Sequence, residues 1–113
     1  MRGNFISALL AILAMRDPAC AENPVGHAKF HHFYRGLNQP GSGASCCNDN
    51  DCRPVPYRVT PTGVEILIAG RWIRPPDVRT MEIETPDAGA HWCGIESTEE
   101  PLTFCAIIPR SGV

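Results

Sequence analysis

Six cysteines in a chain of 113 residues restrict the fold more than any other feature of this sequence. Cys46 and Cys47 are adjacent and Cys52 follows closely, Cys93 and Cys105 form a second group, and Cys20 stands near the start. Cysteines at this density either staple a small domain in an oxidising compartment or hold a metal. A chain of this length supplies one domain, at roughly 100–200 residues per domain. Domains this small bury little surface and gain from covalent staples. With 43% hydrophobic and 19% charged residues the composition is globular rather than disordered. The formal net charge of -2 lacks the basic excess of a nucleic-acid binder, so no nucleic-acid partner is expected.

The first residues read as an export signal. Arg2 precedes an apolar run at residues 5–15, too short to span a bilayer as a helix, which takes about 20 residues. Ala19-Cys20-Ala21 fits the small-x-small cleavage pattern. The expectation is a signal peptide at 1–21 with the cut before Glu22; the charged pair Arg16-Asp17 is its one departure from pattern. A lipid-bearing Cys20 and a buried N-terminal helix are the other readings; Asp17 stands where the first needs an aliphatic residue, and the Arg2 flank with the cleavage pattern argues against the second. Cleavage would leave five cysteines and no second apolar segment. A periplasmic or secreted protein that does not associate with the membrane follows.

Residues 22–45 read as a short helix and a turn-rich linker. His27, Phe30 and Tyr34 fall on one helical face; Asn23-Pro24 can start the helix and Gly36 can end it. Residues 38–45 are dense in turn formers. From 46 to 113 the pattern is that of a Cys-stapled β domain. Residues 57–60, 64–68 and 71–74 alternate as three short strands separated by Pro61-Thr62-Gly63 and Ala69-Gly70. Pro75-Pro76 ends the run. Met81-Glu82-Ile83-Glu84 fits a strand, although Pro75-Pro76-Asp77 could equally open a helical turn. Residues 90–95 and 102–108 look like two strands joined across 96–101. The expected fold is small and mostly β (α+β): an N-terminal helix followed by a disulfide-stapled antiparallel meander. Val59, Val64, Ile66, Ile68, Trp72, Ile73, Ile83, Trp92, Ile95, Leu102, Phe104 and Ile107 are its expected core.

Cys46, Cys47, Cys52, Cys93 and Cys105 are the disulfide candidates. A bond between Cys46 and Cys47 is disfavoured, because neighbouring Cα atoms lie about 3.8 Å apart and a disulfide usually needs about 4.4–6.8 Å. Cys93 and Cys105 sit symmetrically about the 96–101 connection and would face each other in a regular hairpin. Alternatively, Cys46 or Cys47 reaches Cys93 or Cys105. The rival chemistry is a metal site built from His27, His31, His91 and Cys93: His27 and His31 form an i, i+4 pair, and His91-x-Cys93 places two soft ligands on one strand face. Against it, exported cysteines are oxidised by default. There is no C-x-x-C redox motif, no G-x-S-x-G elbow and no carboxylate pair whose spacing singles it out. No catalytic residue and no cofactor are therefore assigned.

The combined pattern Phe33-Tyr34-Arg35-Gly36-Leu37, Gly43-Ala44-Ser45-Cys46-Cys47-Asn48, Asp51-Cys52-Arg53-Pro54, Gly70-Arg71-Trp72, Pro75, Ala90-His91-Trp92-Cys93, Phe104-Cys105 and Pro109 resembles a group of small exported proteins of alphaproteobacteria. The resemblance covers most of residues 27–109. It implies export and a cysteine framework, and no activity is assigned to the group. The functional expectation is an exported, disulfide-stabilised module with a structural role or a protein partner, the alternative being a His/Cys metal-handling protein of the periplasm.

Overall fold

Alternating side chains at residues 57–73 make a three-stranded antiparallel meander, seen in a computed structural model that describes residues 28–47, 51–97 and 99–112. Among the described residues seven strands form two sheets: β1 (Asp51–Val55), β2 (Tyr57–Thr60), β3 (Gly63–Ile68), β4 (Arg71–Ile73), β5 (Thr80–Ile83), β6 (Ala90–Ile95) and β7 (Leu102–Pro109). The meander is β2-β3-β4, in the register Tyr57↔Ile66↔Ile73. Its second turn places Ala69 (φ 51°) and Gly70 (φ 77°) in the left-handed region, as a tight hairpin turn that matches the strand twist requires.

The other four strands form the second sheet, in the order β1-β6-β7-β5. The meander expectation therefore describes three strands and not the whole domain. β5 runs parallel to β7, with Thr80 opposite Ala106. A parallel partner needs a crossover, which here carries the chain from β5 through the turn at 86–89 and β6 before β7 begins. β1, at residues where the sequence pattern gave no expected strand, pairs antiparallel with β6 from Asp51↔Gly94 to Val55↔Ala90.

Both faces of the second sheet are covered. Val55, Ala90, Trp92, Ala106 and Ile108 pack against Ile66 and Ile68 of the meander. On the other face Cys52, Cys93, Cys105 and Ile107 pack beneath Phe30, Tyr34, Leu37, Cys46 and Cys47. Residues 90–94 of β6 are consequently all buried, the near-continuous apolar run of a strand covered on two sides. The covering segment contains a 3-10 turn (Ala28–Phe30), helix α1 (His31–Arg35) and a loop closed by the Asn38↔Ser45 bridge. The expected helix start at Asn23-Pro24 lies outside the described residues.

Several residues expected in the core are outside it. Val59 is 59% exposed, Ile95 50% and Leu102 55%. Trp72 is also exposed, lying under the Arg58 guanidinium at 4.3 Å. Period-two alternation explains this: Ile73 pairs with Ile66 on the inner face, so Trp72 and its partner Leu67 occupy the outer one. Trp92, by contrast, is fully buried and donates its indole N–H to Thr103 Oγ1 at 2.8 Å.

Candidate functional site

Chemistry-bearing side chains converge on the sheet face that the N-terminal segment covers. The turn before β6 begins the arrangement. Thr85 Oγ1 donates to the Gly89 carbonyl, and Gly89 N–H donates to Asp87 Oδ1. Ala88, between them, takes φ 59°. This turn points the Asp87 carboxylate back along β6, where His91 stands four residues on. His91 Nε2 lies 2.8 Å from Asp87 Oδ1, and His91 Nδ1 lies 2.7 Å from the Tyr34 hydroxyl. All donors are satisfied when Tyr34 O–H donates to Nδ1 and Nε2–H donates to the carboxylate.

His91 and Tyr34 have no exposed surface. Phe30, Phe33 and Tyr34 meet the imidazole ring at angles of 74°, 63° and 69°, the edge-to-face packing that aromatic rings prefer. Burial, reinforced by the nearby Asp87 charge, pushes the Tyr34 phenol above its ordinary value. For Asp87 desolvation acts in the opposite sense to the hydrogen bonds from His91 and Gly89 and to the His91 charge. The latter prevail and hold the carboxyl below its usual range. A phenol made harder to ionise and shut from solvent is neither a nucleophile nor a base for an incoming substrate. The geometry is a hydrogen-bonded clasp between α1 and β6.

The cysteines lie on the same face. Cys46 is bonded to Cys105 and Cys52 to Cys93; Cys47 is disulfide-bonded as well, and no described cysteine is free. All five are buried. Cys93 and Cys105 do face each other in register, as a hairpin centred on 96–101 requires. Yet each is bonded elsewhere, so the Cys93–Cys105 staple gives way to the alternative in which Cys46 reaches Cys105. Sequence reading did not single out the second bridge, because β1 had not been recognised: once β1 lies beside β6, Cys52 is the direct partner of Cys93.

The described residues of the metal reading, His31, His91 and Cys93, are not gathered into a metal site. Cys93 is tied to Cys52, and both ring nitrogens of His91 have protein partners. His31 lies beside His32 on α1, and His27 is outside the described residues. Among the described residues no three His, Cys, Asp or Glu side chains are grouped to hold a metal ion. Sequence reading missed Tyr34 and Asp87 as partners of His91. The i, i+4 spacing of Asp87 and His91 across a turn was a usable signal; the Tyr34 contact spans 57 positions and left none. A cleft of about 450 Å³ lies apart from this cluster, lined by Ile68, Ala69, Arg71, Glu96, Ser97 and Pro101. No protein-family model, no curated protein and no solved structure matches the chain.

Proposed function

We propose that this protein is an exported, disulfide-locked, non-catalytic module with a structural or protein-binding role in the periplasm or outside the cell. One observation carries the reading: all five cysteines beyond residue 45 are buried in a single cluster and bonded. Thiols are spent this way in oxidising compartments, whereas cytosolic reductants keep them reduced. The apolar leader at 5–15 with its Ala19-Cys20-Ala21 site, and the resemblance to small exported proteins, support the same compartment. No helix among the described residues is long and apolar enough to cross a membrane. The full burial of His91 and Tyr34, whose polar side-chain atoms bond to each other and to Asp87, supports a non-catalytic role.

Fractionation of a Gram-negative host expressing the full chain tests this, combined with N-terminal sequencing and intact mass. The expected product is periplasmic or secreted, begins at Glu22 and gains mass on reduction. A chain that begins at Glu22 has five cysteines, so a bonded Cys47 then carries a second thiol-bearing molecule; a chain that keeps Cys20 can close all its bonds internally. The intact mass separates these forms. Full-length protein in the cytosol with alkylatable thiols would overturn the proposal.

A further inference from the structure

Two arginines and two glutamates line one cleft without pairing. A cavity of about 300 Å³ lies between the edge strand β4 and the 96–101 connection, bordered by Arg71, Arg74, Glu99, Glu100 and Thr103. None of the ion pairs among the described residues, Arg53–Glu96, Arg58–Glu65 and His91–Asp87, involves these four charges. Arg71 Nη2 donates to the Glu99 backbone carbonyl at 3.0 Å, which spends one of five guanidinium donors and leaves the rest. Arg74 makes no hydrogen bond to another described residue. It lies against Gly63, where a Cβ would come within 3.1 Å of its Cζ. Thr103 is 6% exposed, and its Oγ1 accepts the Trp92 indole N–H. The hydroxyl still carries a hydrogen to give, and no described group accepts it. A buried donor without an acceptor is costly and rare in native proteins; this one borders a cavity.

From this arrangement we infer that the cleft binds a free α-amino acid with an apolar side chain. The ligand carboxylate takes the guanidinium donors of Arg71 and Arg74 and the Thr103 hydroxyl, a donor set whose planar forks match a carboxylate. The ligand ammonium donates to Glu99 and Glu100. The charge count selects a zwitterion: two cations and two anions line the cleft, so a ligand of one sign would sit beside two charges of its own sign. A neutral ligand such as a sugar would leave both sets uncompensated. Ile73 and Pro101 supply an apolar wall for the side chain. The volume stands at the lower end of ligand cavities, about 300–1,000 Å³, which suits a monomer and not a peptide. Thr103 and Trp92 face the meander side of the four-stranded sheet, opposite the cysteines. The site therefore adds a small-molecule ligand to the role proposed above and does not rest on the disulfides.

Titration of the full, oxidised chain at neutral pH tests the site, followed by calorimetry and by the NMR resonance of the Trp92 indole N–H, whose acceptor is Thr103. The probes are both enantiomers of valine, leucine, methionine and phenylalanine. At least one should bind saturably and move that resonance. Its deaminated acid and its decarboxylated amine each keep one charge, and each should bind at least about tenfold more weakly. Arg74→Gln, a change at an exposed residue, should weaken the amino acid by a similar factor. No saturable binding across the panel would overturn the inference. So would an acid or amine that binds as tightly as its amino acid, binding undiminished by Arg74→Gln, or saturable heat without movement of the Trp92 resonance. If the variant does not fold, the comparison of the three probes on the unaltered chain decides.

Discussion

His91 presents a fully buried acceptor at Nδ1, and Tyr34 supplies its hydrogen. Leaving a buried polar atom without a partner costs about 1–3 kcal/mol, more than the net worth of the bond when both groups are present. Tyr34→Phe keeps the ring and removes the donor, so urea unfolding at neutral pH should show a loss of about that size; an unchanged midpoint would mean that Nδ1 does not depend on Tyr34. Asp87 adds a pH dependence. Its carboxyl is held below its unfolded value by His91 and Gly89 despite the opposing desolvation. A group depressed on folding contributes stability above its unfolded value, about 3.9 for Asp, and that contribution is lost as pH falls through the folded value. The wild-type protein should therefore lose stability more steeply than Asp87→Asn as the pH falls through and below about 4. Parallel melting curves for the two proteins would refute the assignment.

The hairpin of β6 and β7 shows how far an element could be read from sequence and where reading stopped. Its existence, its connection and the meeting of Cys93 with Cys105 were legible from symmetry about 96–101. Its irregularity was not: the register shifts between Cys93 and Gly94, so that Gly94 faces Thr103 and Phe104 is the extra residue. Gly94 makes that bulge possible. A Cβ there would lie 2.2 Å from the Leu102 carbonyl oxygen and 2.5 Å from the Trp92 ring. Gly94→Ala should therefore cost about 1–3 kcal/mol through overpacking, whereas Gly36→Ala, whose Cβ would meet nothing closer than 3.8 Å, should stay within about 0.5 kcal/mol. Equal denaturation midpoints for the two variants would contradict the close approach at Gly94. The meander was legible for the opposite reason: one of its faces is buried and the other open, so its strands alternate. β1 escaped notice because its short sequence Asp51-Cys52-Arg53-Pro54-Val55 contains a proline, which reads as a breaker unless the strand lies at a sheet edge, and β1 does.

At the scale of the molecule, three layers are stacked: the N-terminal segment, the four-stranded sheet and the meander. The clasp and the Cys46–Cys105 bridge fasten the first layer to the second, and the latter joins positions 59 apart in sequence. Closing a loop of that length lowers the entropy of the unfolded chain by about 4 kcal/mol. Replacing Cys46 and Cys105 together with Ser, which leaves no orphaned thiol, should cost about 2–5 kcal/mol in chemical denaturation; a cost below about 0.5 kcal/mol would mean that packing alone holds the layer. Residues 38–45, read from sequence as a linker, belong to this layer. Arg79 donates to Gln39 Oε1 there, a contact between distant positions that turn chemistry cannot reveal. The covalent framework of the sheet's covered face is tested most directly by peptide mapping. Oxidised protein, blocked with a maleimide before unfolding and digested without reductant, should yield the linked peptides Cys46–Cys105 and Cys52–Cys93. A Cys93–Cys105 link in their place, or maleimide on these four cysteines, would contradict it.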